Sequence, residues 1–213
     1  MPMQCLLCHK EIGSDSLYDL LVSEDVLCSS CRKSWQRIDL HFQIEGVKAY
    51  APWLYEENFS HALIQYKEAG DEALSPVFFQ LDKKKLRRKY KNFCVCAMPS
   101  SQRKRSMRGF SHLALMYDWL GDVHDPFGMK QQMDQKAKGM ERERMASNLF
   151  LQENLDSKKK ILLVDDTVTT GATLRGALCA LGPGRHVEIL CASANHRFVK
   201  DHGKRMGKWP GTP

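Results

Sequence analysis

The chain encodes an α/β protein with a largely parallel sheet, preceded by a small module that folds around metal. Three stretches carry this expectation. KKKILLVDD (158–166) is an uninterrupted apolar strand without polar alternation, the pattern of a strand buried on both faces. It passes through a small polar turn into TLRGALCALG, which reads as a helix, and then into HVEILCASA, a second apolar strand. The order strand, turn, helix, strand implies parallel pairing. Ahead of all this stand two CxxC pairs.

The elements follow in chain order. CLLC and CSSC place Cys5, Cys8, Cys28 and Cys31 in two knuckles separated by nineteen residues. Four thiolates at this spacing fit a structural zinc site. The intervening segment is too short and polar to pack a core, so metal would supply much of its folding free energy. Redox use of each CxxC would need a βαβ context, which is absent, and His9 is a bystander beside four cysteines. RKSWQRI, after Cys31, suits either nucleic acid or packing. The ribbon domain is placed at 1–45, the α/β domain at 46–195 and a frayed tail at 196–213.

VKAYAPWLY (47–55) reads as strand. NFSHALIQYKEAGD reads as a helix, with Asn58 as N-cap, apolar residues at 59, 62, 63 and 66, and Gly70 at its stop. SPVFFQLDKKKLRRKY is a second helix or an irregular segment with a basic end. NFCVCAMP is a short buried strand, and SSQRKRSMRGFSHLALMYDWLG a basic loop leading into a helix. Residues 123–148 are polar and glycine-punctuated, the composition of a mobile loop. Cys94, Cys96, Cys179 and Cys191 are expected as buried, reduced thiols.

Composition narrows the class further. With 43% hydrophobic and 27% charged residues the chain is globular, and no apolar run is long enough for a bilayer. MPMQCLLCHK has neither basic flank nor cleavage site, which points to the cytoplasm. The net charge of +7 is concentrated: residues 81–110 hold eleven Lys or Arg against one acid, Asp82. Such a block suits a phosphate partner or a solvated face.

The chemistry lies in ILLVDDTVTTGAT (161–173). At the carboxyl end of a parallel strand, the threonines and Gly171 bring a helix N-terminus up to an anion. Asp165 and Asp166 beside an anion site suit ribose hydroxyls and a divalent metal. The stretch therefore describes a sugar phosphate. Neither the GxxxxGK[ST] nor the GxGxxG spacing is present.

VDDTVTTGAT resembles the loop of type I phosphoribosyltransferases that binds 5-phosphoribosyl pyrophosphate (PRPP). Together with the CxxC–CxxC ribbon, LIQYKEAGD and MPSSQRKRSMRGFSHLA, in that order over roughly residues 5–192, it makes the chain similar to the ComF/ComFC family of competence-related proteins. The resemblance implies a phosphoribosyltransferase type I-like parallel sheet flanked by helices. It makes Asp165 and Asp166 the ribose and Mg²⁺ acids, and Thr167, Thr169, Thr170, Gly171 and Thr173 the 5′-phosphate cradle. Lys67 would reach toward pyrophosphate, unless it is an ordinary surface lysine. Pro99, Ser100 and Ser101 resemble the loop receiving pyrophosphate. Arg103, Arg105 and Arg108 are the nearest cations, and Gly109 and Phe110 complete an RGF signature. The chain departs from the family in the mobile segment, where Gln135, Arg142 or Arg144, Asn148 and Phe150 stand at altered spacing.

Two functions follow from the resemblance. One is a competence protein that supports natural transformation by handling single-stranded DNA, beside an ATP-driven translocase and recombination loaders. Lys83, Lys84, Lys85, Arg87 and Arg88, with Arg103 and Arg105, would form its electrostatic track, and Trp35, Tyr90 or Phe110 would be available for stacking. The other is an active phosphoribosyltransferase that displaces pyrophosphate from PRPP, with Asp165 and Asp166 at the reacting sugar and an unidentified acceptor.

Overall fold

The computed structural model describes residues 3–12, 25–100, 106–129, 149–153, 155–156 and 159–202. Its centre is a six-stranded sheet in the order β1-β2-β8-β7-β3-β4. The strands are β1 (Arg37–Ile44), β2 (Val47–Tyr55), β3 (Phe93–Ala97), β4 (Val123–His124), β7 (Lys160–Val168) and β8 (Val187–Asn195). Only the β1–β2 pair is antiparallel; β2–β8, β8–β7, β7–β3 and β3–β4 are parallel. The helices are α1 (Ser29–Lys33), α2 (Glu57–Glu68), α3 (Lys83–Tyr90), α4 (His112–Tyr117), α5 (Ala172–Leu181) and α6 (His196–His202), with a 3₁₀ segment over Glu72–Phe78. No described helix is long and apolar enough to cross a membrane.

The central strands owe their place to their sequence. Ile161 to Val164 of β7 and Ile189 to Ala194 of β8 are fully buried, which an uninterrupted apolar run permits only with both faces covered. β1 turns into β2 through Glu45 and Gly46, both at positive φ (49° and 77°), the geometry of a tight two-residue hairpin turn. The division at 45/46 thus falls inside this hairpin. β1 is an edge strand of the large sheet, and Trp35 lies in its core against Trp53, Phe59 and Phe78 at ring separations of 5.5, 4.8 and 5.9 Å. The part that remains with the cysteines ends near α1.

Several expectations are corrected. The 196–213 segment begins with α6: Phe198 is buried edge-on to Phe42, and its backbone N–H donates to Asn195 Oδ1. One anchoring aromatic holds this short helix although no periodic pattern announces it. Residues 123–148 are not loop throughout. β4 adds to the sheet, and β5 (Phe127–Met129) pairs antiparallel with β6 (Leu149–Leu151), burying Phe127 and Leu149. The rest of that segment, with Gln135, Arg142, Arg144 and Asn148, lies outside the described residues, while Phe150 is on β6 and more than one-third exposed. α2 starts at Glu57 rather than after Asn58, with Glu56 as N-cap. Of the four thiols expected inside, Cys96 and Cys191 are buried, Cys94 is half-buried and Cys179 is exposed on α5.

Candidate functional sites

The acid pair sits within β7 rather than past its end. β3 pairs with β7 only as far as Ala97–Val164, whereas β8 accompanies it to Val168. After Met98, whose N–H donates to the Val164 carbonyl, the neighbouring chain turns away. Asp165, Asp166 and Thr167 are therefore held by strand geometry on one side and open to a cleft on the other. A cavity of about 430 Å³ fills that opening.

The cleft gathers residues far apart in sequence. β7 and the following turn contribute Asp165, Asp166, Thr167, Thr169, Thr170 and Gly171, and the first turn of α5 contributes Thr173. α2 contributes Lys67, the loop after β3 contributes Ser100, and the segment before α4 contributes Arg108. Ser101, Arg103 and Arg105 lie outside the described residues. His112, which no sequence motif singled out, lines the same cleft and is buried.

Electrostatics separate the two acids. Asp166 is buried, which by itself would raise its carboxyl. The His112 hydrogen bond and the Lys67 ammonium, which forms an ion pair with Asp166 Oδ2, override burial and hold it well below the carboxylate range. Among the described residues, Asp165 has no such counter-charge in contact. Burial and the neighbouring Asp166 charge push it up to about 8, while the Asp166 N–H, donating to its Oδ1 at 2.9 Å, and Lys67 oppose the shift. The backbone beneath is rigid. Tyr117 Oη donates to the Asp165 and Leu190 carbonyls at 2.7 and 3.1 Å, and Thr167 and Ser193 share a hydrogen bond of 2.9 Å. Asp166 is thus held toward its ionised form and clamped, while Asp165 is held toward its protonated form.

The turn explains its glycine. Gly171 has φ 74° and caps α5, and a Cβ there would stand 3.0 Å from Ile44 Cδ1. Gly171→Ala therefore strains the backbone and presses on β1 at once. We expect a loss of about 1–3 kcal/mol in denaturant unfolding; an unchanged midpoint would show that this turn tolerates a side chain.

The four cysteines form the second site. Their sulfur atoms all lie within 4.8 Å of one another, with Cys8 and Cys28 3.6 Å apart. That spacing fits tetrahedral thiolate coordination of a metal such as zinc. For Cys5, burial is outweighed by the backbone N–H groups of Cys28, Cys8 and Leu7, which bring the thiol down to about 7. Burial and the surrounding sulfurs push Cys31 up instead. Four thiolates in this space need a cation to neutralise them. The module is fastened to the α/β body by Arg32, which pairs bidentately with buried Asp25 at 2.8 and 2.7 Å and donates to the Val77 carbonyl at 3.0 Å.

The basic run forms α3. Lys83, Lys84, Arg87 and Arg88, with Gln80 and Lys91, line a groove of about 510 Å³ that shares no residue with the acid cleft. Lys85 is not among its lining residues; it lies near Asp39 and His41. The aromatics expected for stacking are not available to a base. Trp35 and Tyr90 are buried, and Phe110 packs on Tyr66 with ring centroids 5.5 Å apart. An aromatic next to basic residues in sequence is here the apolar anchor of its element.

These features define the class: an α/β protein with a mostly parallel, helix-flanked sheet, an acid-and-hydroxyl cleft at its carboxyl edge and a four-cysteine module. No family model matches the chain. The chain is similar to curated proteins over most of its length. Competence protein ComFC of Streptococcus pneumoniae (strain ATCC BAA-255 / R6) is 27% identical over 199 residues, spanning 81% of this chain and 90% of that protein. Competence protein ComFC of Bacillus subtilis (strain 168) is 24% identical over 220 residues, spanning 87% and 91%. The chain is thus similar to these competence proteins over most of its length, which supports assignment to the ComF/ComFC family.

Proposed function

We propose that the cleft binds PRPP or a related 5-phosphosugar, and that the protein supports natural transformation by handling single-stranded DNA in the cytoplasm. The observation that carries the first half is the convergence of the hydroxyl turn, the α5 N-terminus, both aspartates, Lys67 and Arg108 on one cavity. The amides and hydroxyls from Thr167 to Thr173 suit the 5-phosphate. Lys67, Ser100 and Arg108 suit the pyrophosphate, with Ser101, Arg103 and Arg105 as neighbours in sequence. Asp165 and Asp166 suit the ribose hydroxyls and Mg²⁺. The half-buried, cation-receptive Asp165 fits a divalent ion, which would supply charge neutralisation for the pyrophosphate.

Calorimetry with PRPP and Mg²⁺ tests this half. At a hundredfold excess over Kd the ligand is expected to stabilise the protein by about 2.7 kcal/mol, raising its melting temperature by roughly 5–10 °C. Absence of both heat and protection would refute the reading. Pyrophosphate release in the same mixture, lost in Asp165→Asn, would mark the protein as a phosphoribosyltransferase.

The second half rests on the basic groove and the family relationship. Neutralising Lys83, Lys84, Arg87 and Arg88 together should flatten the log–log salt dependence of oligonucleotide binding by about 2–3, with PRPP binding intact. An unchanged slope would remove the groove from the DNA path. A translocase and recombination-loading proteins are the partners this role calls for.

A further inference from the structure

His112 opens α4 with its side chain buried in the cleft wall. Its Nδ1 lies 3.1 Å from an Arg108 guanidinium nitrogen, and its Nε2 lies 3.0 Å from Asp166 Oδ2. Chemistry sets the direction of this chain. A guanidinium only donates, so Nδ1 must accept and carries no hydrogen. The neutral ring then bears its hydrogen on Nε2 and donates it to the carboxylate. Arg108 is anchored in turn by Glu68 of α2 at 2.8 Å. Lys67, one residue before Glu68, reaches the same Asp166 Oδ2. Both contacts fall on Oδ2, which among the described residues leaves Oδ1 for a ligand.

We propose that His112 is a positioning residue of the ligand site: the chain Glu68, Arg108, His112, Asp166 fixes the Asp166 carboxylate so that one oxygen serves the protein and the other serves the cation and ribose of a bound phosphosugar. This rests on the phosphosugar reading above. The arrangement differs from a histidine that merely fills a core, because the ring joins two charged groups that line the cleft. Its own backbone is held separately, by Tyr66 Oη donating to the His112 carbonyl at 2.6 Å, so the side chain can be changed with that bond kept.

The charged groups facing the ring are Lys67 and, through Arg108, Glu68 from α2, Asp166 from β7 and Arg108 from the segment before α4. Burial, with the Lys67 and Arg108 charges, lowers the ring below the ordinary histidine value against the pull of Asp166.

The test compares PRPP–Mg²⁺ affinity at neutral pH for the native protein, His112→Phe and His112→Gln. His112→Phe should bind about 10–100-fold more weakly. His112→Gln, whose amide can accept from Arg108 and donate to Asp166, should recover most of that loss. Native affinity in His112→Phe, or no recovery in His112→Gln, would overturn the assignment while leaving the phosphosugar reading intact. If the native protein binds no PRPP, that reading fails, and ¹⁵N NMR of the imidazoles without ligand still decides the geometry. The signal missing from His112→Gln must be the Nε2–H tautomer at neutral pH; the Nδ1–H tautomer or an imidazolium there excludes the chain.

Discussion

Stripping the metal from the four-cysteine module is expected to unfold that module and to destabilise the α/β body with it. Structural zinc contributes about 10–16 kcal/mol of apparent binding free energy in small four-ligand modules, and few buried residues here could replace it. The module nevertheless is not an independent bead. Cys5, Leu27 and Cys28 belong to the same buried core as Trp35 and the large sheet. Arg32, stacked 5.1 Å over Trp35, holds Asp25 on one side and the Val77 carbonyl on the other. Loss of the knuckle at Cys28 is expected to unseat α1 and draw the Arg32–Asp25 pair away from the Val77 carbonyl, losing a charged hydrogen bond worth about 1.5–3 kcal/mol. Elemental analysis should find about one zinc per chain, which Cys28→Ser should lose. Chelation should lower the melting temperature and change tryptophan emission through Trp35. Demonstrated removal of metal with both properties unchanged would reduce the cysteines to an ornament of the fold.

The parts legible in the sequence are those whose signal is local. β7 shows itself because both its faces are buried, and the acid pair shows itself because carboxylates inside an apolar strand have no packing use. The cysteine knuckles carry their own ligand spacing. Long-range partnerships left no such mark. His112 follows Ser111 at the start of an apolar helix and reads as a helix residue; its partner Asp166 lies fifty-four positions on. Arg32 sits in RKSW and reads as part of a basic, aromatic surface, yet Asp25 and the Val77 carbonyl take it inside. β1 is obscured by Asp39, whose positive φ of 43° accompanies an irregular register between Arg37 and Leu40. Asp39 is held there by Arg37, two residues away on the same strand, and by Tyr50 Oη, a contact that only pairing with β2 creates.

The two aspartates should respond in opposite senses to the same isosteric change. Asp165→Asn is expected to raise stability and to abolish cation-dependent phosphosugar binding. In the native protein this carboxyl is raised from 3.8 to about 8, so the folded state holds a proton that the unfolded chain releases. Its contribution to stability is complete below the unfolded value and is lost as pH rises toward 8. An amide keeps the hydrogen bond from the Asp166 N–H and removes the cost, a gain of about 1–3 kcal/mol, or roughly 2–10 °C in melting temperature. The gain should be largest at and above pH ~8 and vanish near pH ~4, where the native carboxyl is neutral in both states. Asp166→Asn inverts the sign. Its depressed carboxyl contributes stability above the unfolded value and loses it as pH falls, and neutralising it leaves Lys67 without its carboxylate partner. We expect a loss of about 3 kcal/mol at neutral pH, shrinking in acid. Melting curves of both variants between acid and mildly alkaline pH decide the matter. If Asp165→Asn destabilises, or if its effect is flat with pH, then Asp165 is not a stored, cation-receptive acid, and the division of labour between the two carboxylates must be abandoned.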